Sequence, residues 1–279
     1  MKSTKTLWGV AGIAAMLATL LFISGFGYAV RTAIFPPPPG SGSLALPSPS
    51  SPAGDDMATA KDIRILAVGD SLTRGIGDSA GKGYVERVRE GLATGLTKET
   101  YVWNLAISGS KTADVLEQVE HGDGRMLDYA KQANVILLTV GGNDLFQLGV
   151  SSGSDTDAPA DPTALKLDFA TVTKEMPTAL ERLDKILSEL SAANPKARIV
   201  YVMFYHPFLD YDTERAGSLY VQEWESKAFA IANRLGNVTV VPTYDLFQQV
   251  PVKYLYTDHF HPNPEGYARI AERVLQVLR

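Results

Sequence analysis

The chain has 279 residues, 45% hydrophobic and 20% charged, with a net charge of −5 and no cysteine. That is the composition of an ordinary globular protein, and it excludes disulfides, thiolate metal sites, a thiol nucleophile and a lipidated-cysteine anchor. With no basic tract and no aromatic–basic interleaving, nothing in the sequence suits a nucleic-acid partner, and an acidic surface gains nothing from anionic lipid headgroups.

The charge is unevenly spread. Residues 1–31 carry Lys2, Lys5 and Arg31 with no acid, which leaves the rest of the chain at −8. Leu7 to Val30 has no charged side chain, a run of 24 residues that would span about 36 Å as a helix, enough for a bilayer core. Two lysines precede the run and only Arg31 follows closely, so the amino terminus is expected in the cytoplasm and the remainder outside. Residues 1–35 thus read as a cytoplasmic tip and a transmembrane signal-anchor helix. The alternative is a cleaved signal peptide and a secreted product, although such apolar regions usually run about 7–15 residues and Tyr28-Ala29-Val30-Arg31 is a poor cleavage exit.

Residues 36–60 read as a linker. Pro36–Pro39 are followed by Gly40-Ser41-Gly42-Ser43 and by Pro47, Pro49 and Pro52, a composition that extends as a semi-rigid polyproline spacer. Residues 61–279 form one domain, long enough to bury a core without disulfides. Apolar β-rich runs at Ile63–Val68, Tyr101–Leu105, Asn134–Val140, Arg198–Phe204 and Val238–Val241 predict five strands. Between them lie helical stripes: Tyr84, Val88 and Leu92; Ala113–Val119; Leu180, Leu183, Ile186, Leu187 and Leu190, closed by Asn194-Pro195; and Leu219–Leu235. Pro264 opens a last helix with Ile270, Val274 and Leu278 on one face. Strands alternating with helices predict a three-layer α/β/α sandwich around a five-stranded parallel sheet with right-handed crossovers. Val150–Pro162 and His206–Ser218 break the rhythm and are expected to rim one face.

Chemistry-bearing residues collect where the strands end. Strand one runs into Gly69-Asp70-Ser71-Leu72, and a serine at such a turn can be a nucleophile, or it can simply cap the next segment. Asn104-Leu105-Ala106-Ile107-Ser108-Gly109 follows strand two, and Gly141-Gly142-Asn143-Asp144 ends strand three. Asp258-His259-Phe260-His261-Pro262 stands near the carboxyl terminus. In a flavodoxin-like strand order 2-1-3-4-5 the loops bearing Ser71 and Asn143 flank one crevice, at the switch point. The three-residue separation of Asp258 and His261 lets a carboxylate accept from imidazole Nδ1, leaving Nε2 to take a serine proton.

In this order, the four blocks resemble the SGNH hydrolases, the GDSL family of esterases and lipases, over essentially residues 62–279. The resemblance implies a serine ester hydrolase working through an acyl-enzyme, with Ser71 as nucleophile and His261, the histidine before proline, as base. Asp258 would orient His261. The backbone N–H groups of Ser71 and Gly109 and the side-chain amide of Asn143 would form the oxyanion hole. No metal or other cofactor is implied. The expected partner is a lipid or small-molecule acyl ester, approached at the outer face of the membrane; an O-acetylated envelope polysaccharide is the alternative substrate, and a non-catalytic envelope-binding module the alternative class.

Several neighbours compete for these roles. Gly149-Val150-Ser151-Ser152-Gly153 matches the nucleophile-elbow pattern literally but leads into a polar loop rather than a helix. His259 is expected beside the site rather than in it, His206 in a structural role, and His121 at the surface. Asp70 and Asp144 read as caps. Gly81-Lys82 lacks the spacing of a phosphate-binding loop, and Asp258, His259 and His261 lack a distant third ligand for zinc.

Overall fold

The computed structural model describes residues 3–34, 56–122, 124–146, 169–210, 212, 214–249 and 251–278. The chain divides into two units, Met1–Ser48 and Pro49–Arg279. The first contains one helix, Ser3–Ile34, on which Trp8, Leu21 and Phe22 are exposed. Among the described residues, no helix is long and apolar enough to cross a membrane. The anchor expected over residues 1–35 therefore remains a reading of the sequence, and most of the 36–60 linker lies outside the described residues. Its end does not. The helix Asp56–Thr59 belongs to the globular unit, with Met57 buried and Lys98 Nζ donating to the carbonyls of Met57 and Ala58 at 2.7 and 2.5 Å. The fold thus begins a few residues before the expected boundary at 61.

Five strands make the sheet: β1 (Ile63–Gly69), β2 (Thr100–Asn104), β3 (Val135–Thr139), β4 (Arg198–Val202) and β5 (Val238–Val241). Their order is β2-β1-β3-β4-β5 and every pairing is parallel, the expected topology. Alternating side chains feed two cores, because successive strand residues point to opposite faces. Leu66, Val68, Ile136, Leu138, Ile199 and Tyr201 pack against buried residues of helices Thr112–His121, Arg125–Gln132, Phe169–Ala193 and Ala216–Leu235. Ile65, Ala67, Val135, Leu137, Val200 and Val202 meet Gly83–Leu96 and Pro264–Leu278 on the other face. Leu183, Ile186, Leu187 and Leu190 are all fully buried, each side chain contributing about 1.5–3 kcal/mol relative to exposure.

Asn194 closes the long helix as its sequence position predicts. Its side-chain Oδ1 accepts from the N–H groups of Lys196 and Ala197, while Nδ2 donates to the carbonyls of Ala130 and Ala133. The helix Arg125–Gln132 was not legible in the periodicity, since it is only 8 residues long and buries only Met126 and Ala130. Of the two long connections, Val150–Pro162, with Ser151, lies outside the described residues.

Candidate active site

The carboxyl end of β1 approaches β3 as closely as backbone allows. Gly69 has φ +131°, and a Cβ there would sit 1.9 Å from the carbonyl oxygen of Thr139, so only glycine fits. The chain then turns at Asp70, whose carboxylate accepts from the Leu72 N–H at 3.0 Å and from Thr139 Oγ1 at 2.6 Å. That caps the short helix Ser71–Arg74, as expected for Asp70, and Ser71 is 2% exposed at its start.

The β2 loop is stitched alongside. Leu105 and Ile107 donate their N–H groups to the carbonyls of Ala67 and Gly69 at 2.8 and 2.9 Å, which continues the ladder past the strand and delivers Gly109, at φ +79°, to the same edge. The β3 loop is tied to it, since Asn143 Nδ2 donates to the Ser110 carbonyl at 3.0 Å. Asp144 accepts from the N–H and Oγ1 of Thr112 at 2.9 and 2.6 Å, anchoring the start of the helix Thr112–His121. Burial raises its pKa, only partly opposed by those bonds.

At the fourth block, His261 Nδ1 lies 2.8 Å from Asp258 Oδ2. Asp258 Oδ1 accepts from the N–H groups of Phe260 and His261, both at 2.9 Å. Burial opposes the charge on Asp258, but the His261 bond and the two backbone donors outweigh it and hold the carboxyl below its ordinary range. The turn that follows Ser71 rests on this block. Ile76 donates its N–H to the Ser71 carbonyl at 3.1 Å. A Cβ on Gly77 would lie 2.7 Å from both His261 Cβ and the Pro262 carbonyl oxygen.

Ser71 and Asn143 open into one cavity of about 20 Å³, walled by Leu72, Phe146, Phe204, Tyr205, Pro207 and Phe260. Its wall is largely aromatic, with room for about one water or a small group. A larger open groove, about 540 Å³, runs along Pro264–Leu278, but no serine or histidine is among its described lining residues. Four of the five predicted residues are thereby placed together: Ser71 and Asn143 in the cavity, His261 against the serine turn, and Asp258 on His261. Gly109 joins them through its neighbour Ser110. A buried serine, an imidazole oriented by a carboxylate and an amide beside a glycine-rich turn are suited to attack on a carbonyl.

The competing residues fall elsewhere. His259 adopts a left-handed backbone, φ +57°, with its N–H donating to the Tyr256 carbonyl at 2.9 Å. His121 is exposed, and Lys82 pairs with Glu90 at 2.7 Å. His206 is placed as a structural histidine, behind the cavity wall. It is buried, its Nε2 lies 2.9 Å from Asp212 Oδ2, and its ring stacks on Phe146 of the cavity wall. The aromatic wall itself was missed by the sequence reading; Phe204-Tyr205-His206-Pro207, directly beyond β4 at the functional edge of the sheet, was the available signal.

The sequence pattern of the GDSL-like Lipase/Acylhydrolase family matches residues 67–269, from within β1 into the last helix. The chain belongs to that family. It is a serine ester hydrolase of GDSL type. A protein of Bacillus subtilis strain 168, YpmR, is 32% identical over 248 residues, spanning 85% of this chain and 89% of its own. The spore germination lipase LipC of Bacillus licheniformis is 24% identical over 216 residues, 76% of this chain and 94% of its own. Among solved structures, the lipase Lip_vut3 from a goat rumen metagenome superposes with a TM-score of 0.59 at 22% identity, covering 77% of this chain and 96% of its own. The GDSL match spans all four blocks that carry the predicted site.

Proposed function

We propose that Ser71 is the nucleophile, His261 the base and then the acid, and Asp258 the group that orients His261. In this reading Ser71 Oγ attacks the ester carbonyl as His261 Nε2 takes its proton. The tetrahedral oxyanion is met by the N–H groups of Ser71 and Gly109 and by the Asn143 amide, which has a second hydrogen beyond the one given to Ser110. Collapse expels the alcohol, protonated by His261, and leaves an acyl-serine. Water, activated by the same imidazole, then releases the acid and restores Ser71. Losing one oxyanion donor typically costs about 2.7–4 kcal/mol of transition-state stabilisation.

The observation that carries this reading is the shared placement of Ser71 and Asn143 in one aromatic cavity, with the His261–Asp258 pair packed against the serine turn. The apolar wall favours an acyl group as the bound portion. We further propose that the substrate is an acyl ester or lysophospholipid met at the outer face of the membrane, with residues 1–35 as anchor. The uncharged run Leu7–Val30 and the exposed Trp8, Leu21 and Phe22 support that placement. Turnover of p-nitrophenyl esters of graded chain length by the full chain in detergent tests the substrate class. Turnover is expected to extend to acyl chains longer than acetate; cleavage of acetate alone would move the assignment to an O-acetylated polysaccharide, and no turnover would leave a binding module. Protease added to intact cells is expected to cut within 36–55 and release the active domain, whereas protection until lysis would reverse the orientation.

A further inference from the structure

Beneath the serine turn lies a line of buried hydroxyls that the mechanism above does not use. Thr139 Oγ1 donates to Asp70 Oδ1 at 2.6 Å, Thr73 Oγ1 is 2.7 Å from Thr139 Oγ1, and Tyr84 OH is 2.8 Å from Thr73 Oγ1. Thr73, Tyr84 and Thr139 are each no more than 1% exposed, and Asp70 is 4% exposed. The direction of the line is fixed by counting protons. A carboxylate only accepts, so Thr139 spends its single hydroxyl hydrogen on Asp70. Thr73 must then donate to Thr139, and Tyr84 to Thr73. Burial pushes the Tyr84 phenol well up, which keeps the last proton in place.

This line joins four elements to one carboxylate. Asp70 directly follows β1, Thr139 ends β3, Thr73 lies in Ser71–Arg74 and Tyr84 in Gly83–Leu96. Thr139 also meets Gly69 through its backbone and stands four residues before Asn143. Asp70 in turn holds the Leu72 N–H, so the peptides on either side of Ser71 are set by a side chain that Thr139 fixes.

We propose that Thr139 is a positioning residue for ester hydrolysis: its hydroxyl, backed by Thr73 and Tyr84, locks Asp70 and so aims Ser71 Oγ and the Ser71 N–H at the substrate carbonyl. The inference rests on Ser71 being the nucleophile. Its effect belongs to kcat, because the geometry it preserves is used at the transition state rather than in ground-state binding.

The test is steady-state hydrolysis of a p-nitrophenyl ester by the full chain, together with the rate of Ser71 labelling by a phosphonate. Thr139→Val keeps the shape and removes the hydroxyl; it is expected to lower kcat and the labelling rate about tenfold, with KM unchanged within about twofold. Thr139→Ser restores the hydroxyl and is expected to recover most of the loss. Thr73→Val breaks the line one link further away and should cost less, and Tyr84→Phe least. A role in packing alone predicts lowered thermal stability with wild-type kcat in the folded variants. Wild-type kcat in Thr139→Val, or no rescue by Thr139→Ser, would overturn the proposal. If Thr139→Val does not fold, the order Thr73→Val below Tyr84→Phe in kcat decides it, and wild-type kcat in both would overturn it. Failure of the wild-type chain to label at Ser71 would instead remove the nucleophile assignment.

Discussion

Two histidine–aspartate pairs stand at the functional edge of this sheet, and they differ in which ring nitrogen faces the carboxylate. His261 offers Nδ1 to Asp258 at 2.8 Å, whereas His206 offers Nε2 to Asp212 at 2.9 Å. Asp258 gains its other donors from the two backbone N–H groups that carry the histidine itself, Phe260 and His261. Asp212 spends its remaining capacity on Ala216 and Gly217, at the start of the helix Ala216–Leu235. A Cβ on Gly217 would fall 2.4 Å from His206 Nε2, so helix and ring are in full contact. Pairing through Nδ1 leaves Nε2 of His261 for the proton transfer proposed above; pairing through Nε2 ties the His206 ring to Asp212 and, through it, to the start of the helix Ala216–Leu235. One pair is the one we propose for proton transfer, and the ring of the other stacks on Phe146 of the cavity wall.

The largest expected separation comes from removing each ring. His261→Ala is expected to lower kcat by about five orders of magnitude, while His206→Ala keeps kcat near wild type and loses about 2–3 kcal/mol of stability, roughly 5–10 °C in Tm. Ester turnover and thermal melts on the two variants check this, and equal kcat losses would erase the distinction. Replacing the carboxylates sharpens it. Asp258→Asn is expected to lower kcat about 10⁴-fold by presenting the wrong tautomer, and Asp212→Asn to lower Tm with little change in kcat.

Acid separates the pairs by stability. Burial holds His206 below its ordinary value of 6.5, with Asp212 opposing that shift and Arg215 adding to it. The unfolded chain therefore binds this proton first; the stability is full above 6.5 and is lost as pH falls from there through the lower folded value. Tm measured from pH 8 to 5 is expected to fall, and His206→Gln to flatten that part of the curve. Asp258 is displaced in the other window. Its depressed pKa gives stability that is full above 3.8 and lost as pH falls below it,. The smallest effect belongs to the neighbour: His259→Ala is expected to change kcat less than about threefold, and damage matching that of His261→Ala would mean that the base had been misassigned.

The sheet and the four blocks were legible because three of the blocks directly follow apolar runs that form strands, and the fourth carries its aspartate and histidine three residues apart. Ser71 and Asn143 share a crevice for the reason the strand order predicts, as β1 and β3 are neighbours. Asp258 and His261 could be paired from spacing because they are three residues apart on one turn. Contacts made by distant residues were not legible. Phe146 and Phe204 lie just beyond β3 and β4, while Phe260 stands in the Asp258–Pro262 block well past β5, and nothing in their spacing says they wall one cavity. Thr139 reads as an ordinary β-branched strand residue, yet its hydroxyl reaches Asp70 across the sheet. Met57 sits in a stretch whose composition says linker, and only its burial against the second core shows where the domain begins. His206 and Asp212 meet across a six-residue turn that no periodicity marks.

In the mechanism we propose, the serine beyond β1, activated by His261, carries the acyl group. Incubation of the full chain with a fluorophosphonate, followed by peptide mass mapping, tests it most directly. A single modified residue, Ser71, is expected, with labelling abolished in Ser71→Ala, strongly slowed in His261→Ala and unchanged in Ser151→Ala. Modification at Ser151, or labelling that survives Ser71→Ala, would contradict it.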